Sequence, residues 1–515
     1  MAGPTGYRGY PRWPSASACR RLSVRATLDG TGFIAYMYGM QDHAYQQCIH
    51  ADCAATFALD EVLFGCPQCG NLLDVRYEWD RVPVPKSLAE FAGRWSTPGR
   101  SLQARADFSG VWRFREFLSY ARLEDLVTIG EGRTILQQAD QIAGHVGMRR
   151  GCLFLQYEGF NPTGSFKDNG MTAAFTLARR LGRNRVACAS TGNTSASMAV
   201  FAAQSGDVGV PVQAIVFVGR GKIAYGKLAQ ALDFGALTLQ VDGDFDACMR
   251  RAIESADRLG IYLMNSLNPF RLEGQKAIMY RILEGLEWQA PDWVIVPGGN
   301  LGNSSAFGKA FLELQELGLI DRVPRIAIIN AAGANTLSEA VNERGIRWNG
   351  GRFDAAAIEH HFQELDRAGR RAVTVASAIE IGRPVNLGKA LRTLEVMDGV
   401  VRQVPDESIL EHKALIGQCG FGCEPASAAS VAGLKLLLEE GVIGAEERVA
   451  CVVTGHALKD PDVTVKYHTG LDAKQATLPE PERPSGARAN QPIRVPDDFE
   501  AIARVIEQHA PKGRE

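Results

Sequence analysis

The chain has 515 residues, 46% of them apolar, and a formal net charge of −2. That length suits two or three domains with sizeable cores, and the near-zero charge gives no support for a nucleic-acid footprint or a polybasic membrane surface. No apolar run is long enough to cross a bilayer, and the 11 cysteines are scattered apart from one cluster, which suits a reducing compartment better than a disulfide framework.

Residues 1–40 carry arginine and serine, almost no acid and no hydrophobic periodicity. They read as a disordered, non-catalytic extension: either a transit peptide or an upstream stretch with Met37 or Met40 as the true start. Next come "CIHADC" and "CPQC", which place Cys48, Cys53, Cys66 and Cys69 as two pairs in a ribbon-like segment, 41–80. The second pair has zinc-knuckle spacing and the first is looser. The spacing leaves open one structural zinc or a metal-free, degenerate ribbon.

"NPTGSFKDNG" starts as a tight turn and runs into the helix formers "MTAAFTLARRLG", with Lys167 at the junction. Lys167 is either an exposed charge, with Asp168 favouring the first helical turn, or a Schiff-base lysine close to anion-binding N–H groups. Beyond it, strands are predicted at "RVACAST", "VQAIVFVG", "LTLQVDG", "YLMNS", "WVIVPGG", "RIAIINAAG" and "RVACVVTGH", with helices between them. Near-continuous Val, Ile and Ala content indicates parallel sheets covered on both faces. The span exceeds one ordinary sheet, so two α/β domains are expected: a large one from 81–155 and 290–470, and a small one, 156–289. Residues 471–515 read as a linker, "LPEPERPSGARANQP", and a helix, "DFEAIARVIEQHA".

Three strand-to-helix turns carry chemistry. "VPGGNLGNSS" offers Gly298, Gly299, Gly302, Asn300 and Asn303, more glycine and asparagine than a turn needs, and reads as a phosphate cradle. It is neither a Walker loop nor a Gly-x-Gly-x-x-Gly motif. In "ASTGNTSAS", Asn193 either belongs to an N-cap or holds a planar ligand. In "VVTGHALKD", Thr454 lies where ligands bind such sheets, though a lone threonine is often only a cap. A lysine amine, a phosphate cradle on another strand and polar groups around a flat ring are what pyridoxal phosphate requires.

"YEGFNPTGSFKD", "ASTGNTSAS", "NSLNPFRLEGQK", "PGGNLGN" and "TGHALKD", with "GVWRFRE", "GEGRT" and "EPASAAS", resemble the threonine synthases, which are fold-type-II pyridoxal-phosphate enzymes. The resemblance covers about Cys48 to Tyr467. It implies a tryptophan-synthase-β-like α/β fold of two domains with mainly parallel sheets and the cofactor in the crevice between them. It implies Lys167 as the Schiff-base lysine, Asn193 at the ring's phenolic oxygen, Thr454 at the pyridine nitrogen, and Gly299, Asn300, Leu301, Gly302 and Asn303 around the cofactor phosphate. The implied reaction converts O-phospho-L-homoserine and water to L-threonine and phosphate. Ser190, Thr194, Ser266 and Arg271 would take the substrate phosphate; the alternative for Arg271 is a surface salt bridge. Two departures stand out: Asn169 replaces an arginine frequent in the family, and Ile135 replaces a proline. Neither removes a group the chemistry needs. A homodimer is the expected assembly and the cytoplasm the expected compartment, or a plastid if residues 1–40 are a transit peptide; no nucleic-acid or membrane partner is expected. The rival readings are a threonine dehydratase or a cysteate synthase, and a non-catalytic binding module, which would have a broken lysine or cradle.

Overall fold

A computed structural model of the chain describes residues 43–96, 99–205, 211–219, 225–243, 245–470 and 487–509. The extension expected over 1–40 and most of the linker fall outside them. The chain divides after Lys459 into two compact units.

The first unit opens with an antiparallel sheet in the order β2-β1-β3, formed by β1 (Ala44–Cys48), β2 (Thr56–Phe57) and β3 (Leu73–Tyr77). Strands β4 (Ile135–Gln138) and β5 (Leu153–Tyr157) then begin a second sheet. The chain leaves it to build a third, parallel sheet in the order β8-β7-β6-β9 from β6 (Arg185–Ala189), β7 (Gln213–Gly219), β8 (Leu237–Val241) and β9 (Tyr262–Leu263). It returns with β10 (Trp293–Pro297), β11 (Arg325–Ala331), β12 (Val400–Val404) and β13 (Val449–Val453). These complete the second sheet in the order β12-β11-β10-β13-β5-β4, parallel except for β4.

Strand alternation explains why these runs are apolar throughout. Val294 and Val296 of β10 face one core, with Phe307 and Phe311 of the helix Gly302–Glu316. Trp293 and Ile295 face the other, with Val431 and Leu434 of the helix Pro425–Glu439. The third sheet repeats this: Val216 and Val218 face one core, Ile215 and Phe217 the other. The second unit contains the helices Pro461–Thr469 and Phe499–Gln508. Among the described residues no helix is long and apolar enough to cross a membrane.

Candidate active site

Lys167 opens the helix Lys167–Arg180, and the turn before it fixes its place. Gly164 N–H donates to the Asn161 carbonyl over 2.7 Å, with Pro162 at the position its locked φ suits. The Asp168 carboxylate then accepts from Thr163 N–H at 2.8 Å and from the Thr163 hydroxyl at 2.7 Å. Asp168 is therefore buried in the turn, and burial pushes its carboxyl up to about 6. Phe166 N–H donates to the Thr454 carbonyl over 2.9 Å, which ties the lysine junction to the end of β13.

Lys167 is half-buried, its Nζ 4.2 Å from the centroid of the Phe166 ring. Burial, and next the positive charge of Arg271, bring its amine down to about 7, against the opposing pull of Glu424. Near neutral pH the amine is thus partly unprotonated and nucleophilic.

Arg271 reaches this neighbourhood through a close helix contact. A Cβ on Gly170 would stand 2.7 Å from the Arg271 carbonyl oxygen, and one on Gly274 would stand 1.9 Å from that of Asn169. Glycine on both helices is what lets Lys167–Arg180 and Pro269–Gln275 meet. Arg271 is 1% exposed. Its Nη1 donates to the Met264 carbonyl at 2.8 Å and its Nη2 to the Thr194 hydroxyl at 3.3 Å, while Nε has no partner. No carboxylate lies against it among the described residues, and burial lowers its pKa to about 10. The surface salt bridge is therefore excluded. A buried guanidinium with free donors and no counter-ion is suited to an anion.

The other predicted phosphate donors lie on adjoining turns. Asn265 exchanges two 3.0 Å hydrogen bonds with the backbone of Ala189, so Ser190 and Ser266 each follow a bonded residue. The Ser190 hydroxyl accepts from Gly192 N–H at 3.2 Å. Ser266 is held by its carbonyl, which accepts from Asn386 Nδ2 at 3.2 Å; the same nitrogen reaches the Asn300 carbonyl at 3.3 Å.

The glycine loop runs from β10 into the helix Gly302–Glu316. Leu301, its N-cap, adopts φ 62°, ψ 17°, a left-handed conformation uncommon outside glycine and asparagine. Asn300 Oδ1 accepts from Val385 N–H at 3.2 Å, which pins the loop. Among the described residues, the N–H groups from Gly299 to Ser304 meet no protein acceptor, and the buried Asn303 Oδ1 has no partner. A Cβ on Gly299 would stand 3.0–3.2 Å from Ile379 and Ala378. A run of unsatisfied N–H groups at a helix N-terminus, where no side chain fits, matches a phosphate monoester. The residues present therefore fit pyridoxal phosphate.

Asn193 and Thr454 come together through two residues that carry no role in the sequence reading. Asn193 Nδ2 donates to both carboxylate oxygens of Glu424, at 3.1 and 3.0 Å. The Thr454 hydroxyl lies 2.9 Å from the Ser427 hydroxyl and 3.5 Å from Glu424 Oε1. The only sequence signal for Glu424 and Ser427 is their shared place in "EPASAAS". Asn169 joins a separate buried network: its amide nitrogen donates to Glu158 at 2.7 Å, and its oxygen accepts from Arg281 at 3.1 Å.

In the N-terminal sheet the four cysteine sulfurs lie within 4.8 Å of one another. Cys48 and Cys69 are 3.4 Å apart, and Cys53 and Cys66 3.6 Å. Tetrahedral zinc with Zn–S bonds of about 2.3 Å sets its thiolates about 3.8 Å apart, so the cluster fits that ion.

Comparison with known proteins bears on this geometry. The sequence profile of the pyridoxal-phosphate dependent enzymes matches residues 127–455. The chain is 38% identical over 464 residues to the threonine synthase of Methanocaldococcus jannaschii, covering 90% of this chain and 99% of that protein. It is 40% identical over 420 residues to the threonine synthase of Methanosarcina acetivorans, covering 81% and 93%. It is 34% identical over 464 residues to the chloroplastic threonine synthase 2 of Arabidopsis thaliana, covering 88% and 82%. The solved structure of the processed form of threonine deaminase isoform 2 from Solanum lycopersicum superposes with a TM-score of 0.50 at 17% identity, over 68% of this chain and 90% of that one. At that identity the likeness is one of fold.

Proposed function

The chain belongs to the pyridoxal-phosphate dependent enzymes and, among them, to the threonine synthases, and on that premise we propose how its residues divide the work. It is a pyridoxal-phosphate-dependent lyase that forms threonine. The substrate we assign is O-phospho-L-homoserine. In the balanced reaction Cγ exchanges its phosphate for a proton, and Cβ exchanges a proton for the hydroxyl of water.

Pyridoxal phosphate, when bound, supplies an electron sink next to the substrate's α-carbon. Lys167 is its attachment point. The N–H groups of Gly299, Asn300, Leu301, Gly302 and Asn303 hold its phosphate, a role supported by their lack of protein acceptors. Asn193 and Thr454 flank its ring. The Lys167 amine, placed at the substrate's α-carbon, would take the proton from Cα and return protons later. Arg271, with Thr194, Ser190 and Ser266, holds the substrate phosphate away from the glycine loop. The observation that carries this assignment is the buried, carboxylate-free guanidinium of Arg271 beside the low-pKa lysine. A dehydratase has no substrate phosphate to bind there. The test is a comparison of two rates: phosphate release from O-phosphohomoserine and 2-oxobutyrate release from threonine. The first should dominate; a faster second rate would favour the dehydratase.

We also propose the two-domain division, 81–155 with 290–470 and 156–289, supported by the separation of the second and third sheets in sequence. A single structural zinc at Cys48, Cys53, Cys66 and Cys69 is supported by the sulfur spacing. A homodimer rests on the family resemblance, and light scattering tests it.

A further inference from the structure

Glu424 is the N-cap residue of the helix Pro425–Glu439, a place where the short side chains of Ser, Thr, Asp or Asn accept from the first free N–H groups. It does not do so: its side chain makes no capping hydrogen bond. It is 4% exposed and turns toward Asn193, at the start of the helix Asn193–Ser205 that follows β6 of the third sheet. A carboxylate only accepts, so it fixes which end of the Asn193 amide faces it, and with that the directions of the second Nδ2 hydrogen and of Oδ1. The same carboxylate lies 3.5 Å from the Thr454 hydroxyl, which is held in turn by Ser427, itself an acceptor for Gly455 N–H at 2.9 Å. The backbone leaves room for this: a Cβ on Gly455 would stand 2.5 Å from Glu424 Oε1. Glu424 N–H donates to the Gly455 carbonyl at 3.0 Å, which locks the helix start to the strand end.

We propose that Glu424 is a positioning residue, whose carboxylate sets the orientation of the Asn193 amide and the Thr454 hydroxyl and thereby the affinity and electronic state of the bound cofactor. The inference rests on the placement of Asn193 and Thr454 at the two ends of the ring given above. A carboxylate joining both ends keeps the two contacts in register, and it does so across two sheets.

The test is titration of the cofactor-free protein with pyridoxal phosphate, read by its visible absorption band and by protein fluorescence, for wild type, E424A, E424Q, N193A and the E424A/N193A pair. Wild type should bind and show the band; if it does not, the cofactor site itself fails and this inference falls with it. E424A should bind at least about tenfold more weakly and shift the band toward shorter wavelength, because the amide at the phenolic oxygen has lost its orientation. E424Q, which keeps an acceptor oxygen of the same reach, should recover most of the affinity. In the N193A background the E424A change should shrink clearly, leaving only the part that runs through Thr454, as expected for residues that share a contact. A wild-type band and affinity in E424A would overturn the proposal, as would fully additive effects in the double variant. Thermal midpoints of all variants separate this from a loss of fold, since a purely structural role would move the midpoint and leave the band position alone.

Discussion

At Lys167, burial and the charge of Arg271 disfavour the protonated amine and bring it to about 7 from an ordinary 10.5. In the cofactor-free protein the unfolded chain then binds more protons than the folded one between those values, so stability rises with pH across that window. Urea midpoints measured from pH 7 to 10 should show the rise, and Lys167→Ala should flatten it. The same variant should lose the visible cofactor band and nearly all turnover. Arg271→Ala should lower kcat/KM on O-phosphohomoserine by at least ~2 kcal/mol, the scale of a lost charge-assisted contact. It should leave the cofactor band in place, and Arg271→Lys should recover only part, since an ammonium lacks the planar fork. Kinetics with the band as control check both. Lys167 and the glycine loop stand out in the sequence as candidates because each is a local motif with a physical reason for its composition. Glu424 does not, because its role is made by Asn193, 231 residues away, and by a cap position it declines to use.

Among the elements, the glycine loop works through what it leaves out. Its N–H groups meet no protein acceptor, Leu301 is left-handed, and Gly299 lies against Ile379 and Ala378. Gly299→Ala should push that loop outward and weaken cofactor binding about tenfold, with the far-ultraviolet dichroism unchanged; an unaltered cofactor affinity would argue against the loop as phosphate site. The buried strands were readable because both faces are apolar, and "WVIVP" and "VACVV" show this directly. Strand β12, "VVRQV", was not: it lies at the sheet edge, and its Arg402 and Gln403 break the apolar run. The contact of the lysine and arginine helices was equally hidden, since Gly170 and Gly274 look like weak helix positions until the two helices are seen together.

Across the first unit, a buried network joins the cysteine-bearing sheet to the helices Pro269–Gln275 and Gly302–Glu316. Tyr77 of β3 donates to Glu273 at 2.7 Å, and Lys309, on the cradle helix, pairs with Glu273 and donates to the Val75 carbonyl. Asp74 pairs with Arg392 at 2.5 Å and Lys389 at 3.3 Å. Charges this buried are costly to leave unpaired, so displacing β3 disturbs the helices that carry Arg271 and the glycine loop. Metal analysis should find about one zinc per chain. Cys66→Ser should lose it and lower the thermal midpoint by a few degrees; a metal-free wild type of full stability would mark the cluster as a relic. No composition signal announces this wiring, because its members come from segments read separately as a ribbon and as helices. The most direct measurement on the whole molecule is the product ratio from O-phosphohomoserine: with the cofactor bound, phosphate and L-threonine should appear together in equal amounts from the first turnovers. Phosphate released without threonine, or no phosphate released at all, would contradict the assignment of this chain as a threonine synthase.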